Sequence, residues 1–509
     1  MSSVAPAMER VPYPRRALAW AFYDWANSAV VTLIIAAVFP VFYNSIAEKS
    51  LGDNAASAFS FTISIGLLIS AMVGPVLGTL ADITGKRKRF LIIATIIGAL
   101  CAVLMFTIQD GGWVWASVLF IVVQVLLNAS LGLYDSLLSH VAPESRRDRL
   151  SALGYALGYI GGGLQLAVSV YIITAWEKLG FASQMDATKV TIVMAGVWWL
   201  IFAMPLFFVV PEPAATPFRE GTSRSAIRDT FARLRSTLRA IRGYSELFKM
   251  LLAFLVYSEG IGTIIQLATT YGRQEIGLDQ TTLIGALLLT QFAAFPFALM
   301  FGRLPDENAK NRDFYFAFIV WTMITFPLMG SFAAVQKLST NTTFIYIAVN
   351  QVVGLIFCWF VGRKLAVPYA QGLTTKRAIL FGLGVYTVIA CWGFFLYTAA
   401  EFWMLAYLVA TVQGGTQALS RSLYSQLSPR SKSGEFFGFY GFSDKFAGVL
   451  GPMLFGLIGL GGNLRPAILS VIIFFVLGGL LLTRVNEVLG RQHAIEEDHA
   501  DHYPEEPSK

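Results

Sequence analysis

The sequence predicts an all-α, multi-pass membrane protein: two similar six-helix halves plus an extra two-helix hairpin, fourteen spans in all. Three observations carry that expectation. Of 509 residues, 56% are hydrophobic and only 14% charged, with a mean hydropathy of +0.62. An ordinary soluble domain carries roughly 25% charged residues, so a soluble enzyme and a disordered or disulfide-stapled secreted chain are excluded. The surplus apolar residues must face lipid. Apolar runs long enough to cross a bilayer, roughly 20 residues each, recur along the chain, and Lys and Arg alternate between the loops that join them.

The runs lie near 17–46, 55–83, 88–109, 113–141, a glycine-broken 148–175, 190–210 and 247–272. They continue near 281–302, 313–336, 342–364, 376–398, 401–427, 436–460 and 464–484. With the N-terminus inside, 29 of the 38 basic residues fall in cytoplasmic segments, 6 in the opposite loops and 3 within spans. This is the positive-inside pattern, with both termini cytoplasmic; a bacterial inner membrane is the expected location. It also accounts for the net charge of +7 without a nucleic-acid partner. Cys101, Cys358 and Cys391 sit in apolar runs with no CxxC spacing and read as small core hydrophobes. No metal site or cofactor is expected.

The organisation that follows is a cytoplasmic segment 1–16, a six-helix bundle 17–210, a linker 211–246, a second bundle 247–484 and an acidic, disordered tail 485–509. Pro6, Pro12 and Pro14 with no apolar core argue against a cleavable leader. In the linker, Ile227, Phe231, Leu234, Leu238 and Ile241 recur at helical spacing among five arginines. That predicts a basic amphipathic helix over 223–243 on the anionic leaflet, or else a solvated linker helix. In the tail, His493, His499 and His502 read as solvated rather than metal-binding.

An internal repeat sharpens the architecture. Residues 136–145 align with 422–431, five of ten identical at an offset of 286, and each copy precedes a glycine-rich span. Parallel repetition of two membrane halves is the build of the major facilitator fold, whose site lies between the halves. Residues 78–87, with Gly78, Asp82, Gly85, Lys86 and Arg87, resemble that superfamily's signature, roughly GxLaDrxGrk; Ile83 stands where a basic residue is usual. Physically, such a turn places an aspartate at a helix end, where it meets arginines or a neighbouring helix N-terminus and forms a breakable latch. A degenerate copy, Gly302 to Asp306 with Lys310 and Arg312, follows the eighth span. A two-by-six core uses twelve spans, so the surplus is a hairpin inserted over 313–364.

Four further motifs narrow the resemblance: residues 23–29 (YDWANSA), 153–162 (LGYALGYIGG), 413–422 (QGGTQALSRS) and 435–440 (EFFGFY). These are similar to the "unknown major facilitator" family, whose fungal members are autophagy-related vacuolar amino-acid effluxers. The likeness covers 17–312 and 376–484. It implies a secondary transporter that exports a small molecule such as an amino acid; a monomer is expected.

Ionisable side chains inside spans are functional candidates, because each costs about 2.5–3.5 kcal/mol on insertion scales. Six stand out: Asp24, Asp135, Glu259, Arg421, Asp444 and Lys445. At about 1.5 Å per residue, Asp24, Asp135 and Arg421 lie about 9–10 Å from the cytoplasmic ends of their helices. Glu259 lies near the midplane. At the repeat offset Asp135 corresponds to Arg421, which predicts an ion pair between the halves that closes the cytoplasmic side; pairing within one half is the alternative. Asp24 beside Tyr23 and Asn27 suits an ammonium-bearing substrate. Arg421 and Lys445 suit an anionic group, and Gln413 and Gln417, with Gln124, Asn128, Gln165, Gln266 and Gln291, add polar lining. Glu259 and Asp24 are the proton-coupling candidates; for Glu259 the alternative is permanent hydrogen bonding to Tyr257 or Gln266.

The expected function is a proton-linked secondary transporter of a small zwitterionic or anionic metabolite. Alternatives are a lipid or lysolipid translocator, suggested by 40 Phe and the hairpin, and a transporter-like sensor without flux. An enzyme is disfavoured: no HExxH, GxSxG or P-loop occurs.

Overall fold

A computed structural model of the chain describes residues 13–215, 230–231, 234–235, 244–446, 451, 454, 458 and 464–502. It is all-helical. The first half contains α1 (Arg15–Leu51), α2 (Ala55–Thr84), α3 (Arg87–Leu104), α4 (Trp113–Ser136), α5 (Glu144–Thr174) and α6 (Gln184–Val209). Beyond the linker come α7 (Ser245–Gln274), α8 (Gln280–Phe301), α9 (Arg312–Val335), α10 (Thr340–Ala370) and α11 (Thr375–Phe394). Then follow α12 (Ala399–Leu427), α13 (Ser433–Phe446), α14 (Arg465–Thr483) and α15 (Glu487–His502).

Among the described residues twelve helices, α1 to α11 and α14, are long and apolar enough to cross a membrane. α12 has 29 residues, but its Gln, Thr, Ser and Arg side chains keep it outside that group. Thr411, Thr416, Ser420, Arg421, Ser422, Ser425 and Gln426 are buried and Gln413 and Gln417 half-buried, as expected where helices meet around a polar path.

Two separate apolar cores form, one from the first half and one from the second. Between them, α2 packs on α13 and α5 packs on α8, with further contacts of α4 on α13 and α5 on α12. Exchanging α2 with α8, α4 with α12 and α5 with α13 turns each of these contacts into another of the same set. The interface therefore obeys a two-fold relation, the one that the 136–145 and 422–431 repeat demands.

Small residues let the helices meet. A Cβ added to Gly78 of α2 would overlap the Gly434 carbonyl of α13, and one on Gly438 would come within 2.6 Å of Pro75 Cα. The α5 glycines do the same against α1: a Cβ on Gly161 would stand 2.6 Å from the Trp25 carbonyl oxygen. The expectation that 148–175 is broken by glycine is therefore corrected. α5 runs unbroken through Gly154, Gly158 and Gly161 to Gly163, because close packing replaces the side-chain contacts these residues lack.

The tail requires a second correction. Expected to be disordered from 485, it forms α15, because its acids find partners on the main body. Asp498 accepts from the Arg430 and Ser431 backbone N–H groups at 3.0 and 2.9 Å, and Glu497 pairs with Lys432. Burial alone would lower the Lys432 ammonium, but Tyr244 and Glu497 outweigh it and leave its pKa raised. Residues 503–509 and most of the amphipathic stretch 223–243 lie outside the described residues.

Gly78→Val should lower the apparent melting temperature of the detergent-purified protein, since overpacking costs about 1–3 kcal/mol. Gly384→Ala, which meets nothing within 4 Å, should leave it unchanged. Equal melting curves for the two variants would refute close α2–α13 packing.

Candidate functional site

The cross-half charges gather on one guanidinium. Arg421 of α12 is 2% exposed and directs all five N–H donors at first-half acceptors. Nη1 donates to Asp24 Oδ2 at 3.1 Å and to Asp135 Oδ1 at 3.0 Å. Nη2 donates to Asp24 Oδ2 at 3.1 Å and to the Ser151 carbonyl at 2.9 Å, while Nε donates to Ser151 Oγ at 2.8 Å. The guanidinium also lies over Tyr155, Trp20 and Tyr134, with Cζ at 4.4, 4.9 and 5.5 Å from the ring centroids. A planar fork satisfied at every donor and flanked by aromatic faces is what arginine, unlike lysine, can supply.

The predicted Asp135–Arg421 pair is thus present, joining residues exactly one repeat offset apart in the chain, 286 positions. Asp24, expected to face substrate, is also committed to Arg421. It accepts from Tyr134 Oη at 2.9 Å and from Asn27 Nδ2 at 3.3 Å. Tyr23 points elsewhere, its hydroxyl bonded to Thr95 at 2.8 Å. Trp20, Tyr134, Ser151 and Tyr155 were not singled out from the sequence. Three are aromatic in an aromatic-rich chain and one is a serine, so only the fold distinguishes them.

The residues expected to form a latch make contacts across the interface in both copies. Asp82, fully buried, accepts from the Gly434 and Glu435 backbone N–H groups at 3.0 and 2.9 Å, capping the N-terminus of α13 across the interface. Arg87 Nε donates to the same carboxylate at 2.5 Å, Nη1 meets His140 Nε2 at 2.5 Å, and Nη2 reaches the Arg430 and Ser431 carbonyls at 3.3 and 3.4 Å. Gly85, at φ 63, ends α2 in the left-handed conformation that favours glycine. Lys86 is exposed and makes the turn without joining the buried cluster. In the second copy Asp306 pairs with Arg149 at the start of α5, the counterpart of Asp82 facing α13. Gln426 and Arg147 add cross-half bonds to Asp148 Oδ1 at 3.0 Å and to the Ser425 carbonyl at 2.7 Å. This end of the interface is shut.

Glu259 is 1% exposed, and its Oε2 accepts from the Gly451 backbone N–H at 2.7 Å. Tyr257, a suggested partner, bonds instead to Ser420 Oγ at 2.6 Å. The side chains of Gln266, Asp444 and Lys445 lie outside the described residues. Gln417 accepts from Tyr159 Oη at 3.2 Å, and Gln291 of α8 donates to Thr32 of α1 at 3.1 Å; both bonds join the halves. Gln413 lies on α12, one turn from Gln417.

Two packed halves related by a two-fold exchange, with polar side chains and ion pairs buried between them, are the build of a membrane transporter of the major facilitator type. Solved structures share the fold. The proton:xylose symporter XylE matches with a TM-score of 0.60 at 14% identity, covering 95% of this chain and 98% of that one. FucP in the outward conformation matches with a TM-score of 0.59 at 13% identity, covering 93% and 98%.

The particular family follows from sequence. The profile described as "Vacuole effluxer Atg22 like" matches residues 51–342 and 329–495, and the chain belongs to that family. It is 31% identical over 480 residues to the uncharacterized MFS-type transporter YxiO of Bacillus subtilis (strain 168), covering 92% of this chain and 94% of the relative. It is also 23% identical over 359 residues to autophagy-related protein 22 of Cryptococcus neoformans var. neoformans serotype D (strain B-3501A), covering 68% of this chain and 54% of that protein. The chain thus spans about half the length of that fungal relative.

Asp82→Ala should lower the melting temperature markedly, because removing one partner of a buried ion pair costs about 3–5 kcal/mol. The double variant with Arg87→Ala should lose less than the sum of the single losses. Additive losses would mean that the two side chains act independently.

Proposed function

We propose that this protein is a proton-coupled secondary active transporter that exports a small zwitterionic metabolite, such as an amino acid, by alternating access. The observation that carries the reading is Arg421 of one half clamped by Asp24 and Asp135 of the other. Two carboxylates share one guanidinium, so the cluster carries a charge of −1 when all three groups are ionised. One proton or one cationic group neutralises it. A proton on Asp24 removes the charge that holds Nη1 and Nη2 of Arg421, which links proton binding to separation of the halves. An anionic ligand is a poor fit to Arg421 in this state, because its five donors already have acceptors.

The latch end faces the cytoplasm in this reading, with both termini on that side; the basic loops at 86–89, 146–149 and 430–432 support that orientation. The closed latch then corresponds to a state open to the opposite side. Glu259, buried in α7, serves as a second proton site. The effluxer description of the family supports export. Helices α9 and α10 are the inserted hairpin. Their packing on α12, beside the helices that form the interface, supports reading them as an addition to a twelve-helix core.

Reconstitution into liposomes tests the proposal. Solute counterflow should occur with the wild-type chain, and an inward proton gradient should drive uphill movement. Glu259→Gln should abolish uphill movement while sparing exchange; undiminished accumulation by that variant would remove Glu259 from the coupling role. Arg421→Asp should impair exchange, and adding Asp135→Arg should restore part of it.

A further inference from the structure

All the groups that hold Arg421 belong to one half. Asp24 and Trp20 come from α1, Tyr134 and Asp135 from α4, and Ser151 and Tyr155 from α5. Only the guanidinium comes from the other half. Opening the latch end moves α12 away from α1, α4 and α5 and so withdraws Arg421. What stays behind is a preformed cage with two carboxylates, a carbonyl and hydroxyl from Ser151, and three aromatic faces. Asp24 stays oriented without Arg421, because Tyr134 Oη and Asn27 Nδ2 hold it from within the same half.

We infer that this cage is the binding site for the cationic head of the transported solute, and that Arg421 is its tethered stand-in when the latch is shut. The ligand class is an organic cation or zwitterion with a free guanidinium or primary ammonium group. A planar guanidinium would reproduce the donors Arg421 now makes, and an ammonium would use the carboxylates and the aromatic faces. The inference rests on the transporter reading and deepens it. Solute cation and Arg421 use the same acceptors and so exclude each other, whereas the emptied cage carries a charge of −2 when both carboxylates are ionised and reaches neutrality with one cationic head and one proton on Asp24.

Closing the latch is then a competition within one molecule. Solute bound in the cage blocks the return of Arg421, and its departure lets Arg421 return. Apparent solute affinity is lowered by the fraction of molecules in which Arg421 occupies the cage, so removing the guanidinium should tighten binding. The two-fold partner position is the cluster's built-in contrast. In the second half the residue equivalent to Asp135 is Arg421 itself, so the two-fold copy of the cage lacks that carboxylate.

The probe is agmatine, a guanidinium with a primary amine, with N-acetylleucine as the amine-blocked control. Equilibrium binding to the full-length protein in detergent should show saturable agmatine binding and none of N-acetylleucine. Asp24→Asn should weaken agmatine binding at least about tenfold and Arg421→Ala should strengthen it by a similar factor. If Arg421→Ala does not fold, the wild type and Asp24→Asn still decide the matter. Absence of agmatine binding to the wild type, binding indifferent to Asp24→Asn, or tighter binding of N-acetylleucine would overturn the inference. Liposome counterflow separates the two levels: cage binding that depends on Asp24 without any flux keeps the cage and rejects transport. Flux of solutes lacking a cationic group keeps transport and rejects the cage.

Discussion

A guanidinium buried between two membrane halves and shared by two carboxylates is the constraint on which the rest of the molecule depends. Removing ions from water is expensive, and attraction repays the cost only when geometry is good and every donor has an acceptor. Arg421 meets that condition with five hydrogen bonds and three ring faces. The same completeness makes the arrangement all-or-none. A small separation of α12 from α1 and α5 leaves charges uncompensated, so the cluster favours two discrete states over a continuum. Its excess negative charge then decides what accompanies the second state.

The latch extends that constraint to the surface. Asp82 caps α13 while holding Arg87, and Arg87 in turn reaches His140 and the carbonyls at 430 and 431. Repeat symmetry provides the second latch at Asp306 and Arg149. α15 lies under the same junction: Arg491 pairs with Glu144 of the first half and donates to Gln426 of the second at 2.5 Å. Burial of small residues at the α2–α13 contact lets these polar groups approach, so packing and electrostatics favour the same closed end.

Much of this was legible in the sequence because it follows from periodic rules. Hydropathy and basic loops gave the helical membrane class, and the repeat offset of 286 paired Asp135 with Arg421. Spacing cannot say which way a side chain turns, however. Asp24 read as a substrate contact because its neighbours Tyr23 and Asn27 are polar, yet three-dimensional packing brings it to Arg421, 397 residues away. Trp20, Tyr134 and Tyr155 look like ordinary lipid-facing aromatics until the fold stacks them on a guanidinium. The tail misread had another cause. Its acidic composition resembles a solvated segment, but its partners Arg430, Ser431 and Lys432 are distant in sequence and close only after the second half folds.

The central claim is that ionised Asp24 and Asp135 keep the halves together through Arg421. Distances between spin labels at exposed Ser145 and Gln371, on opposite halves at the latch end, report on it directly in liposomes. At neutral pH the wild type should give one short distance, and Asp24→Asn should add a longer population that acid also produces in the wild type. The same short distance in wild type and variant at every pH would contradict the account.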